Sequence, residues 1–210
     1  AKLGASAAFL VTDQGVTGAG ITAQLEGYIT EAGIECVVYD QVEANPTMSI
    51  IQAGIKILRE DMPEGTVIVS LGGGSSMDAA KAMATIAPDG GDDVGAYCMQ
   101  PELAAGSEFI DPASMMPAKM ATAPAIPIIA IPTTSGTASE TNGAAVITDD
   151  TTEMHRKVIF SSPGAAAVET ILDPELTLKL PACKRDTPPD LVEPKKLFGG
   201  QANFSLPRSC

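Results

Sequence analysis

The stretch TVIVSLGGGSSMDAAK, residues 66–81, constrains this chain more than any other part of it. Residues 66–71 are a short β-branched run with Gly65 before it and three glycines after it, which predicts a fully buried parallel strand. Gly72, Gly73 and Gly74 strip side chains from the turn, so an anion can approach bare backbone N–H groups. Ser75 and Ser76 are good N-cap residues, and residues 77–87 (MDAAKAMATIA) favour a helix. A glycine turn feeding a helix N-terminus aims orphan N–H donors and the positive dipole end at one spot, which suits a phosphate. The plainer reading is a tight turn that binds nothing, but one glycine would suffice for that. The stretch supplies neither GxxxxGK[ST] nor G-x-G-x-x-G, and residues 15–18 (GVTG) fail the second pattern too. A phosphate site here belongs to another architecture.

Around this stretch the pattern alternates. Residues 7–12 (AAFLVT) read as a strand ending at Asp13. Ile21, Leu25, Tyr28, Ile29 and Ala32 then share one helix face, which Gly33 stops. Residues 34–39 (IECVVY) form a second strand, and a loop containing Asn45 and Pro46 leads to a helix over residues 48–60 with Ile51, Ile55 and Leu58 on one face. Strand, helix, strand, helix, strand, helix predicts an α/β fold with a doubly wound parallel sheet, helices on both faces and ligands at the carboxyl ends of the strands. Asp13, Asp40 and the glycine turn all lie at such ends. Residues 88–124 dissolve into Gly, Pro, Asp, Ala and Met, a surface excursion with room for one short helix. Residues 126–131 (IPIIAI) are a fourth strand, with Pro127 suited to its start, and residues 132–140 (PTTSGTASE) follow at its carboxyl end. Residues 143–149 and 157–160 read as paired strands, and 168–172 as another.

Length and composition set limits. Two hundred and ten residues suit one domain, or one and a fragment. The net charge of −13 repels nucleic acid and anionic lipid, so a phosphate ligand must be held locally by backbone dipoles and a few lysines. The four cysteines, Cys36, Cys98, Cys183 and Cys210, show no metal spacing and suggest a reducing compartment, cytoplasm or organelle matrix. No apolar run approaches the ~18 residues of a membrane span. After Pro181 the composition changes: residues 183–210 carry five of the thirteen basic residues and four prolines, with little periodicity. Residues 1–182 are therefore expected to form the domain and 183–210 an irregular tail.

The motifs GGGSSMDAAK, IPTTSGTASETNGAAVITD and LDPELTLKLP, in this order, resemble the N-terminal nucleotide-binding domain of the iron-containing (group III) alcohol dehydrogenases over about residues 3–181. The resemblance implies a Rossmann-like domain with NAD spread across the carboxyl edge of the sheet. Asp13 would accept hydrogen bonds from the adenine ribose and, by repelling a 2′-phosphate, favour NAD over NADP; otherwise it is a turn residue or cap. Asn45 and Pro46 match the loop lining the adenine end. Gly73, Gly74 and Ser75 would hold the pyrophosphate, with Asp78 nearby. Thr133, Thr134 and Thr137 match hydroxyls at the diphosphate and nicotinamide end, although β-propensity and capping also explain threonines there. Lys157 matches a lysine that reaches the nicotinamide ribose, against the alternative of a surface lysine, and Lys81 is free to face solvent.

Two departures from the family pattern follow. The family's further strand with an FGxG-like turn, which precedes the strand ending at Asp13, is not in this chain. The family also uses Fe²⁺ or Zn²⁺ held by an Asp-x-x-x-His helix and two later histidines of a helical domain. Here position 190 is Asp, and the sole histidine, His155, matches no ligand. One imidazole cannot supply a multi-histidine site. The expectation is an NAD-binding domain without its metal-binding domain, inactive by itself towards small alcohols. The alternative is a non-catalytic binding or structural subunit of that ancestry. A homo-oligomer or a place in a larger assembly fits either reading.

Overall fold

The computed structural model describes residues 3–102 and 108–178; the expected tail after residue 182 lies outside the described residues. In chain order the elements are β1 (Ala7–Val11), α1 (Gln14–Gly18), α2 (Ile21–Glu31), β2 (Glu35–Tyr39), α3 (Met48–Glu60), β3 (Thr66–Gly72) and α4 (Gly74–Asp89). There follow β4 (Cys98–Met99), β5 (Ile128–Pro132), β6 (Ala144–Thr148), β7 (Lys157–Ser161), β8 (Glu169–Thr170) and α5 (Glu175–Leu178), with short 3-10 turns between.

Five strands pair in parallel in the order β2-β1-β3-β5-β8. β1 continues to β2 on one side and has β3 on the other, so the strand order reverses between β1 and β3. In doubly wound sheets that reversal opens a crevice at the carboxyl edge. The register brings Val11 level with both Tyr39 and Ser70, so the loops after β1, β2 and β3 leave the sheet at about the same height.

Alternation along each strand divides the core. Ala8 and Leu10 of β1 join Val67, Val69 and Leu71 of β3 beneath α2, where Ile21, Leu25 and Ile29 pack. Phe9, Val11 and Ile68 face the other way, against Ile51, Ile55 and Leu58 of α3 and the alanine-rich α4. Thr47 starts α3 by accepting the N–H of Ile50 at 3.3 Å. α4 is buried from Ser76 through Ala87. Its carbonyl end is capped from α3: Arg59 donates to Ile86, Ala87 and Gly91 carbonyls, and Gly90 closes the helix at φ +74°. The face of α4 away from α3 meets an antiparallel sheet, β4-β7-β6.

The residue 88–124 excursion carries more structure than composition suggests. It contributes β4 to the second sheet, and it is pinned to α4 by Asp89. The Asp89 carboxylate accepts from the Tyr97 hydroxyl (2.6 Å), the Thr122 and Ala123 N–H groups (2.7 and 3.1 Å) and Lys119 (3.1 Å). These contacts, the Tyr97 hydroxyl first, hold the carboxyl well below the usual carboxylate range.

Several expectations are corrected in detail. α4 begins at Gly74 with Gly73 as its cap, so Ser75 and Ser76 lie in the first turn and neither caps it. The fourth strand starts at Ile128, after Pro127, whose carbonyl still accepts the Ile68 N–H at 2.9 Å. The strand expected over 168–172 shrinks to β8, and α1 was not anticipated. Lys81 is not at the surface: it is 2% exposed.

Two expected outcomes follow from these contacts. Gly72 has φ +149°, and a Cβ there would stand 2.5 Å from Ser76 Oγ and 3.3 Å from Asp13 Oδ2. Gly72→Ala should therefore cost roughly 1–3 kcal/mol in urea unfolding; a loss below about 0.5 kcal/mol would mean the turn relaxes freely. Because the pKa of Asp89 is depressed in the folded state, its contribution is present above the unfolded carboxylate value and is lost as pH falls through the folded one. Asp89→Asn should destabilise the fold at neutral pH and flatten the fall in unfolding midpoint below about pH 4. An unchanged acid profile would remove Asp89 from that role.

Candidate nucleotide-binding cleft

A cleft of about 860 Å³ opens over the carboxyl ends of β1 and β3. Its floor is the glycine turn. β3 ends in Gly72, whose carbonyl accepts the Thr133 N–H at 2.8 Å, so the loops after β3 and β5 are tied where they leave the sheet. α4 then starts with no side-chain cap and no acid in its first turn. Its leading N–H groups and positive dipole end are therefore left without a side-chain cap or an acid from the helix itself.

Ser75 and Ser76 divide the hydroxyl chemistry of that first turn. Ser75 Oγ accepts the Asn45 N–H at 3.2 Å, so its own proton remains available to an acceptor in the cleft. Asn45 reaches this position at φ +63°, a left-handed conformation that Asn tolerates better than most residues. Ser76 is 1% exposed, and its Oγ has no hydrogen-bond partner among the described residues. Buried hydroxyls are seldom left unpaired, and this one borders the cleft at a helix N-terminus. Sequence reading took Ser76 only as a cap; its burial beneath Gly72 has no signature in the sequence.

At the far end of the glycine turn stands Asp13. Its Oδ1 accepts from the Gly15 and Val16 N–H groups at 2.9 and 3.0 Å, capping α1. Its Oδ2 accepts no hydrogen bond among the described residues and lies toward Gly72. The capping alternative is thus real, and it uses one oxygen only. Asp40 and Glu43 border the same end of the cleft and make it acidic.

Of the residues singled out from the sequence, Asp13, Gly73, Gly74, Ser75, Thr133 and Thr134 line this cleft. Thr134 Oγ1 is 3.4 Å from where a Cβ on Gly73 would stand, and Thr137 Cβ is 3.6 Å from the same point on Gly74. A side chain at either glycine would fill the gap between helix and threonines. Thr137 itself lies just outside the lining. Asn45 and Pro46 stand behind Ser75, fixed to β6 through Thr148: its N–H donates to the Pro46 carbonyl and its hydroxyl to the Asn45 carbonyl. Lys157 donates to that same Thr148 hydroxyl at 2.9 Å, and desolvation lowers its pKa. Asp78 turns away from the cleft, accepting from Ser139 Oγ at 2.6 Å and the Val146 N–H at 3.0 Å.

The donor set fits an elongated anionic ligand with hydroxyls at one end: N–H donors and a free serine proton at the centre, a carboxylate oxygen at the side, and space beside two glycines. It does not fit a transition metal. No group of three or more His, Cys, Asp or Glu could hold one among the described residues, and His155 stands in the β6–β7 connection at φ +45°. None of the described helices is long and apolar enough to cross a membrane.

Comparison with known proteins identifies the family. The iron-containing alcohol dehydrogenase family model matches residues 1–174. A choline dehydrogenase of Bacillus subtilis is 37% identical over 181 residues, covering 86% of this chain and 40% of that protein. Among solved structures, a 1,3-propanediol oxidoreductase superposes with a TM-score of 0.70 at 31% identity, covering 88% of this chain and 42% of that one. A sulfoacetaldehyde reductase from Bifidobacterium kashiwanohense, in complex with NAD⁺, superposes with a TM-score of 0.66 at 28% identity, covering 86% of this chain and 42% of that one. The chain thus spans about two fifths of the length of these relatives. By the extent of this match, it belongs to the iron-containing alcohol dehydrogenase family.

Proposed function

We propose that this chain is the nucleotide-binding half of an NAD-dependent alcohol dehydrogenase and holds the dinucleotide along the carboxyl edge of its sheet. One observation carries the reading: the uncapped first turn of α4 and the free oxygen of Asp13 flank Gly72 where the strand order reverses. The diphosphate would lie against the N–H groups of Gly74 and Ser75, with the Ser75 hydroxyl donating its remaining proton. The adenine ribose would donate to Asp13 Oδ2. A 2′-phosphate at that end would meet Asp13, Asp40 and Glu43 together, which favours NAD over NADP. Thr133 and Thr134 would flank the path towards the nicotinamide, with Thr137 beside Gly74. Asn45, Pro46 and Lys157 support this wall through Thr148. Asp78 serves it indirectly, through Ser139.

NAD, when bound, supplies the hydride acceptor. The residues of this chain bind and orient it. Activating an alcohol oxygen is a separate task, and among the described residues no group of three or more His, Cys, Asp or Glu could hold a metal ion for it.

NAD titration of the purified chain, followed by calorimetry, tests the binding reading; saturable binding is expected, and its absence would overturn it. Asp13→Asn keeps a good cap while removing the charge. It should raise NADP affinity relative to NAD by about tenfold, and an unchanged ratio would remove Asp13 from the ribose site. With Fe²⁺ or Zn²⁺ added, the chain alone should not form NADH from small alcohols at an ordinary enzyme rate. Chelator-sensitive turnover near ~1 s⁻¹ would reveal metal ligands among its residues.

A further inference from the structure

Lys81 is the buried cation of α4. It is 2% exposed, two turns below the cleft. Its ammonium donates three hydrogen bonds, to Ser139 Oγ at 2.7 Å, Asn142 Oδ1 at 3.2 Å and the Ala144 carbonyl at 2.7 Å. All three acceptors lie in the segment that follows the threonine loop. Asp78, one turn nearer the cleft, takes the Ser139 hydroxyl proton at 2.6 Å and stands 3.7 Å from the ammonium. One lysine and one carboxylate thus clamp a single serine.

That serine continues directly into the cleft wall. The Ser139 N–H donates to Thr137 Oγ1 at 3.3 Å, and Ala138 between them adopts φ +58°, a left-handed conformation held by the flanking contacts. The Asn142 side chain donates to the Ala138 carbonyl at 2.7 Å while its oxygen accepts from Lys81. Thr137 in turn stands beside Gly74 at the head of the same helix. The clamp therefore closes a loop, from the α4 N-terminus down to Lys81 and back through Ser139 to Thr137.

A buried lysine is an expensive way to tie down a loop. Burial lowers its pKa, and an apolar side chain would fill the same space without desolvating a charge. A directional clamp gives what packing alone does not, a fixed distance between the helix head and the threonine beside it. We infer that Lys81 is a positioning residue for the second half of the dinucleotide: through Ser139 it holds Thr137 against the first turn of α4. This inference rests on the dinucleotide reading above. Lys81 touches no ligand itself.

The test separates the two halves of the ligand. AMP reports the adenine ribose and first phosphate, near Asp13 and Gly73, whereas ADP-ribose extends past Thr137. In the full 210-residue chain, Lys81→Met should weaken ADP-ribose about tenfold, the worth of one hydrogen bond to a charged group, and leave AMP within about twofold. Thr137→Ala should weaken ADP-ribose to a similar extent, and the double variant should lose little more. Ser139→Ala, a smaller change, should give the same pattern and serves where Lys81→Met does not fold. Equal losses for AMP and ADP-ribose, no loss for either, additive losses in the double variant, or failure of both variants to fold would each overturn the inference, leaving Lys81 a purely structural residue. Failure of the unaltered chain to bind ADP-ribose would overturn the dinucleotide reading as well, which sets that outcome apart.

Discussion

The burial of α4 is the constraint on which the cleft depends. From Ser76 to Ala87 the helix is enclosed by α3, the parallel sheet and the antiparallel sheet. Only small side chains permit such close enclosure, and Ala79, Ala80, Ala82, Ala84 and Ala87 supply them. Larger side chains need room made for them: Met83 reaches into the space left by Gly54 on α3, where an added Cβ would stand 2.5 Å from its methyl carbon. An enclosed helix cannot leave its terminal polar groups to bulk water, so each end must find partners. At the carbonyl end the protein provides them in Arg59 and Gly90. At the amino end it provides no side-chain cap, and Ser76 Oγ is orphaned as well. The unmet hydrogen-bonding demand of the helix is thus concentrated at the one end that opens on the cleft.

Two charged contacts hold the rest of the chain to this helix, and they work in different ways. Asp89, at the last residue of α4, gathers donors from residues 97, 119, 122 and 123 and so fixes the long excursion; Lys119 also lies over the Tyr97 ring at 4.9 Å. Lys81, near the middle, gathers acceptors from residues 139–144 and fixes the approach to β6. Each charge is surrounded by partners of opposite polarity, the condition under which a buried ionic group is tolerated. The first segment is rich in Gly and Pro and the second, residues 139–144, in small polar residues, so both draw on polar contacts as well as apolar packing.

The parallel sheet was legible because its strands are near-continuous β-branched runs punctuated by glycine, and α3 because Ile51, Ile55 and Leu58 repeat with helical period. The glycine turn was legible for a related reason: three consecutive glycines between a strand and a helix have few other uses. β4 escaped because two residues, Cys98 and Met99, carry no periodicity and are strand only by pairing with β7. Lys81 escaped because a lysine following DAA reads as solvent-facing until its acceptors, some sixty residues later in sequence, fold onto it. The capping of α4 was misplaced by two or three residues for a similar reason. The Ser75 hydroxyl is engaged by Asn45 from thirty residues upstream, a contact no local rule contains. Local chemistry pointed to most elements and to the glycine turn, and the family resemblance to the other cleft-lining residues; what both missed were the long-range polar contacts around them.

The charge distribution bears on how so acidic a chain could hold an anion. A net charge of −13 opposes any phosphate at long range, but at physiological salt that field fades within roughly 8–10 Å. What counts is the charge inside that distance. The first turn of α4 holds no acid, and the nearest carboxylate along the helix, Asp78, is turned away and occupied by Ser139, Val146 and Lys81. Of the carboxylates that do border the cleft, Asp13, Asp40 and Glu43, Asp13 turns Oδ2 toward Gly72, on the side away from the first turn of α4. The helix dipole and a carboxylate therefore meet across Gly72, positive on the α4 side and negative on the Asp13 side. An orthophosphate would gain only from the first pole. A ligand with an anionic centre and a neutral, hydroxyl-bearing arm gains from both, whereas a second phosphate on that arm would be set against three carboxylates. A cleft that held a diphosphate in this way would discriminate by what is attached to it.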